Sequence, residues 1–242
     1  MQHTVYLDNS STTKPCETAV RYINKALTAE WGNPSSLHRL GMEAEIALSE
    51  ARETVARSVS ARADEIIFTG SGTEANNTSL LSCLKAKKRG GRVITTAIEH
   101  PSVLETVKRL ETEGLEVIRL KPQCDGTVSL CDLENALSSD TVMVSMMLVN
   151  NETGAVLPVE DAVKLTKSIA PAALFHCDAV QGYGKLPINV KRLGCDLMSA
   201  SGHKIHGPKG IGFLYIKKGV HIPPFITGGG QESGMRSGTE PT

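Results

Sequence analysis

Apolar and polar positions along this chain predict strands and helices in alternation. Ile66-Ile67-Phe68-Thr69 is an apolar run of strand length, and the spacing predicts a helix from Glu74 to Arg89 with Leu80, Leu81 and Leu84 on one face. Val93 to Ala97 reads as a strand. Pro101 opens the next helix, where Val103, Leu104, Val107 and Leu110 recur at helical steps. A strand over Glu116 to Leu120 and a short helix over Leu130 to Leu137 follow. Val142 to Val149 is continuously apolar, as a strand buried on both faces should be. Pro158 to Ile169 reads as a helix, and Ala173 to Cys177, Asp196 to Ala200 and Ile211 to Ile216 as strands. Upstream, Tyr6 to Thr13 is short and polar, and Gly32 to Ser36 is a turn-rich loop. Ala44, Leu48, Ala51, Val55 and Val59 mark a helix.

About seven strands with helical crossovers predict an α/β fold, a mainly parallel sheet covered by helices on both faces. The last two strands are joined only by Ser201 to Gly210. A parallel crossover needs roughly a dozen residues, so the last strand is expected to run antiparallel.

The 242 residues suit one large domain or two small ones, and 40% hydrophobic with 21% charged residues is globular composition. Formal net charge is zero, which points away from nucleic-acid and membrane surfaces. The start shows no secretory leader pattern, and no apolar run approaches the ~20 residues of a membrane helix. Of the cysteines Cys16, Cys83, Cys124, Cys131, Cys177 and Cys195, none form a C-x-x-C pair. They read as free thiols in a reducing cytoplasm, and no metal site is expected.

The candidate chemistry lies where ligands bind in open α/β sheets, at carboxyl ends of strands. Gly70-Ser71-Gly72-Thr73-Glu74-Ala75-Asn76-Asn77 is a Gly-rich turn opening a helix, suited to an anion and most naturally a phosphate. It also fits the loose dinucleotide pattern through Gly70, Gly72 and Ala75, or a plain structural turn. Lys204 follows a strand, where desolvation can lower its ammonium pKa and make it a nucleophile towards an aldehyde. A surface lysine is the plainer reading. Asp178, at another strand end, is either a turn former or the acid facing a pyridine nitrogen. A Schiff-base lysine and such an acid together are what pyridoxal-phosphate (PLP) chemistry requires. His100 suits stacking on a flat ring or moving a proton, or is simply an N-terminal residue of the helix opened by Pro101. Asn151 and Gln181 suit a ring hydroxyl, or Asn151 shapes the turn before Gly154.

These segments, with Tyr6 to Thr13, Gly32 to Ser36, Glu99-His100, Asn150-Asn151-Glu152, Ser201-Gly202-His203-Lys204 and Arg236-Ser237-Gly238-Thr239, occur in one order from Tyr6 to Thr239. In that order they resemble cysteine desulfurases of the NifS/IscS type, in the class V aminotransferase group of fold-type I PLP enzymes. The resemblance implies a three-layer large domain over residues 16–242, with residues 1–15 belonging to a small domain. It implies that Lys204 carries PLP, Asp178 faces the pyridine nitrogen and His100 stacks on the ring. Asn151 and Gln181 would reach the ring hydroxyl, and Gly72, Thr73, Ser201 and His203 would hold the phosphate. Thr239 would reach the phosphate of the other subunit of a homodimer. The implied reaction turns L-cysteine into L-alanine and passes sulfur to a thiol, then to acceptor or scaffold proteins for iron–sulfur cluster or thionucleoside synthesis. In the family, a C-terminal small domain carries the cysteine loop and a carboxylate-binding arginine. Both fall beyond the position matching Thr242, so a fragment inactive in sulfur transfer is the expectation.

Other readings stay open at this level. One is a nicotinamide-dependent dehydrogenase with Glu99 as the ribose-binding acid. Another is an inactive PLP-binding or dimerisation module. A third is a different class V enzyme, such as a selenocysteine lyase or an aminotransferase.

Overall fold

The computed structural model describes residues 5–84 and 91–240. Its strands are β1 (Ile66–Thr69), β2 (Arg92–Thr96), β3 (Glu116–Leu120), β4 (Thr141–Met147), β5 (Leu174–Asp178), β6 (Leu197–Ser201) and β7 (Gly212–Ile216). They form one sheet in the order β1-β7-β6-β5-β4-β2-β3. β7 runs antiparallel to both neighbours, and every other pairing is parallel. The short link from β6 to β7 leaves no length for a crossover, as expected.

The helices are α1 (Glu17–Thr28), α2 (Arg39–Ser58), α3 (Gly72–Leu81), α4 (Pro101–Thr112), α5 (Leu130–Ala136), α6 (Val159–Ile169) and α7 (Val190–Leu193). Successive strand residues feed opposite faces, so the sheet is the middle of three layers. Val93, Met143, Leu197 and Leu214 pack with Leu80 of α3 and with Val103, Val107 and Leu110 of α4. Their neighbours Ile94, Val144, Met198 and Tyr215 pack on the other side with Leu133 of α5 and with Val159 and Val163 of α6. Among the described residues no helix is long and apolar enough to cross a membrane.

Three differences from the sequence reading have physical causes. The helix expected from Glu74 starts at Gly72, because Ser71 caps it by accepting from Glu74 N at 3.1 Å. Its expected residues 85–89 lie outside the described residues. Ala51 is exposed, and the buried face of α2 runs instead through Gly41, Ala44, Leu48 and Ala56. Helix α1 was not read from the sequence at all. It buries none of its residues and leaves Val20, Tyr22 and Leu27 in solvent. Leu7, Trp31 and Leu37 are exposed as well, so the exposed large apolar residues concentrate in the first 46 residues.

Candidate active site

The carboxyl ends of β1, β4, β5 and β6, with the turn after β2, enclose a cavity of about 260 Å³. Gly72, Thr73, His100, Asn151, Asp178, Gln181, Ser201, His203 and Lys204 all line it. Thr239 does not; it is exposed, beside Gly238, whose N–H donates to Gln231 Oε1 at 3.1 Å.

One end of the cavity is built for an anion. Ser71 takes the N–H groups of Glu74 and Ala75, which leaves those of Gly72 and Thr73 as the donors of the helix start, at the positive end of its dipole. A Cβ added to Gly72 would lie 2.6 Å from Val180 Cγ2, so glycine alone fits between that wall and the helix start. Nearby, Ser201 Oγ is buried without a hydrogen-bond partner. The turn is braced from behind, where Glu74 Oε2 accepts from Gly70 N at 2.9 Å and its Oε1 accepts from Arg236 Nε at 3.0 Å.

The floor carries the acid. Asp178 is 4% exposed at the end of β5. Its Oδ1 accepts from Val180 N at 2.9 Å and its Oδ2 from Asn76 Nδ2 at 2.7 Å. Burial still pushes this carboxyl above the ordinary range, against the pull of both hydrogen bonds and of nearby His100 and Lys204. Asn76 was not singled out from the sequence, although it lies in the Gly-rich segment. Only its place one turn into α3, facing the sheet, marks it. The same Nδ2 donates to Ser102 Oγ at 2.9 Å, and Ser102 Oγ bonds His100 Nδ1 at 2.8 Å. His100 holds the helix-start place read from the sequence and also borders the cavity. It caps α4, with Nδ1 accepting from Ser102 N at 3.1 Å, and it lines the cavity.

Two neighbouring assignments change. Asn150 rather than Asn151 shapes the turn after β4, since its Oδ1 accepts from the N–H groups of Glu152 and Thr153. Glu99, the acid of the dehydrogenase reading, is 4% exposed and does not line this cavity. Its Oε1 accepts from Thr96 Oγ1 at 2.8 Å and Met147 N at 2.9 Å, and burial pushes its pKa up to about 8. A neutral acid turned into the sheet is no ribose ligand.

Lys204 ends a short turn, Gly202–Lys204, directly after β6. Its Nζ donates to the carbonyls of Ser10 at 2.6 Å and Ser11 at 2.7 Å. Burial, and then the charge of Lys185, hold its ammonium below the usual range, against Asp8 and Asp178. The N-terminal segment is docked on this turn. Thr13 N donates to His203 O at 2.8 Å, and Cys16 N donates to His206 O at 2.9 Å.

The family model for class V aminotransferases matches residues 5–240. The chain belongs to this family. Its members are PLP-dependent. The fold is that of the large domain of a fold-type I PLP enzyme. A cysteine desulfurase from Nostoc sp. (strain PCC 7120) is 45% identical over 98% of this chain and 58% of its own length. The solved NifS-like protein is 43% identical with a TM-score of 0.96, over 98% of this chain and 65% of that one. The structure of SspA in complex with cysteine is 36% identical with a TM-score of 0.95, covering 98% and 69%. The chain thus spans 58% of the length of the first curated relatives it matches. The cavity suits the class V cofactor. The unpartnered Ser201 Oγ and the Gly72 turn match a phosphate, and a buried acid hydrogen-bonded by the neutral donors of Asn76 and Val180 matches a protonated ring nitrogen.

Proposed function

We propose that this chain is the cofactor-binding part of a cysteine desulfurase, acting on L-cysteine and handing its sulfur to a thiol. The observation that carries this reading is the convergence of Lys204, Asp178 and the Gly72–Ser201 anion turn on one cavity. The NifS-like and cysteine-bound relatives support the substrate.

PLP, when bound, supplies an aldehyde and an electron-withdrawing ring. Lys204 Nζ, its charge disfavoured by burial, is the amine that would hold the aldehyde, and the same amine would move the proton of the substrate α-carbon. Asp178 holds the ring nitrogen protonated, and Asn76 and Val180 N–H orient its carboxylate. His100 Nδ1 accepts from Ser102 N, which leaves Nε2 as the nitrogen that carries and moves a proton. Thr73 and His203 complete the phosphate end, and Asn151 and Gln181 the ring-hydroxyl side.

Among the described residues no cysteine lines the cavity. Cys83, Cys177 and Cys195 are buried, and burial pushes the Cys195 thiol up to about 12, far from a reactive thiolate. Cys16, Cys124 and Cys131 are exposed but do not line the cavity, so in this reading none of the described cysteines is the sulfur acceptor, and the 242-residue chain alone is expected to bind PLP without catalytic persulfide formation. The exposed apolar residues among the first 46 support a homodimer, in which Thr239 serves the neighbouring site. We place residues 1–15 with a small domain and 16–242 with the large one. The free cysteines support a reducing, cytoplasmic setting, with iron–sulfur or tRNA-thiolation acceptors as partners.

The test is to load the chain with PLP, reduce it with borohydride and map the label. It should fall on the peptide containing Lys204. A label on Lys185 or Lys209 instead, or none at all in folded protein, overturns the reading.

A further inference from the structure

Lys185 lies in the turn after β5, exposed and outside the residues that line the cavity. Its Nζ donates to Gln181 Oε1 at 2.7 Å. Gln181 Nε2 donates to the carbonyl of Ser10 at 2.7 Å, and the same carbonyl accepts from Lys204 Nζ at 2.6 Å. One chain of hydrogen bonds thus joins the two lysines through a single amide and a single carbonyl. An ammonium can only donate, so Gln181 must turn its oxygen to Lys185 and its nitrogen to the Lys204 side. Without Lys185 the amide keeps only the Ser10 carbonyl to orient it.

We propose that Lys185 is a positioning residue: it locks Gln181 as a donor towards the Lys204 end of the cavity and sets a second positive charge beside Lys204. The proposal rests on the reading of Lys204 as the cofactor lysine. The charged groups that face Lys204 come from three places. Asp8 from the N-terminal segment and Asp178 from β5 favour its ammonium, and Lys185 opposes it. His203, on the same turn, is itself held down by burial and by Lys204 and Lys209. His100 acts on Asp178 rather than on Lys204. Lys185 is therefore the cation that shifts Lys204 towards the free amine, the form that attacks a carbonyl.

The test reads Lys204 directly in cofactor-free protein, through the pH dependence of its acetylation at limiting reagent, followed by peptide mapping. Lys185→Met should raise the Lys204 midpoint by about half a pH unit or more, a threefold loss of reactivity near neutral pH. Lys185→Arg, which keeps charge and donor, should stay near wild type, and Lys209→Met should leave Lys204 unmoved. In PLP-loaded protein the pH midpoint of the visible absorbance should move in the same direction in Lys185→Met. An unchanged Lys204 midpoint in Lys185→Met, or an equal shift in Lys209→Met, overturns the proposal even if PLP binds normally. A shifted midpoint in protein that binds no PLP supports this inference and overturns the proposed function instead.

Discussion

Asn76 donates its side-chain amide to Asp178 Oδ2 across 2.7 Å, joining a helix start to a strand end 102 residues away. The donor holds a carboxylate that burial otherwise drives towards its neutral form. Asn76→Ala should therefore weaken PLP binding about tenfold, since a hydrogen bond to a charged group contributes roughly 1.5–3 kcal/mol. Absorbance titration with PLP measures this. Unchanged affinity would reduce Asn76 to a packing residue.

Glu99 gives a prediction about pH. Its folded pKa of about 8 lies above its ordinary value of 4.5, so folding binds a proton between those limits. The stability linked to neutral Glu99 is complete below pH 4.5 and is lost as pH rises towards 8. Glu99→Gln keeps an oxygen for Thr96 and Met147 N but cannot ionise. It should unfold like wild type at pH 5 and be more stable by roughly a few kcal/mol at pH 8. Chemical denaturation at both pH values checks the difference, and equal gains at both would remove the ionisation argument.

Gly72→Ala should place a methyl group 2.6 Å from Val180 Cγ2. Overpacking of this kind costs about 1–3 kcal/mol and here also displaces the start of α3. Both melting temperature and PLP affinity should fall. Val180→Ala in the same chain should recover part of each, because it opens the space that the methyl group needs.

Arg236 neutralises Glu74 immediately behind the anion turn, and both side chains are largely buried, at 26% and 14% exposure. Arg236→Ala leaves the Glu74 carboxylate unpaired within the first turn of α3, where it repels a phosphate. PLP affinity should drop several-fold, while pyridoxal, which lacks the phosphate, should bind as before. Glu74→Gln in the Arg236→Ala background should restore much of the loss. Equal losses for both ligands would mean that the pair acts on the fold alone.

Local pattern carried most of the element list. Short stretches rich in apolar and β-branched residues located all seven strands, most plainly β4, because a strand buried on both faces needs apolar side chains at nearly every position. Pro101 marked the start of α4, because proline suits the first helical position. Helix α1 was missed although Val20, Ile23 and Leu27 recur along it at helical steps; only the structure shows that this face meets no core, since none of its residues is buried. Ala51 was misplaced for a related reason. Alanine is compatible with either face of a helix, and its burial depends on what packs against it.

At the site, the kinds of residue were legible and their relations were not. A lysine, an acid and a Gly-rich helix start each followed a strand, and the topology rule for open sheets places strand ends together. The sequence by itself determined that chemistry, the mainly parallel sheet and the reversal of β7, because each depends on short-range composition, apolar runs or link length. Only the tertiary structure decided which groups meet. Lys204 reaches Ser10 across 194 positions, Arg236 reaches Glu74 across 162, and Asn76 rather than another polar residue holds Asp178. Periodicity along a chain reports which side chains leave water. It carries no information about which distant partner receives their hydrogen bonds, and that is set by strand order and the docking of the N-terminal segment.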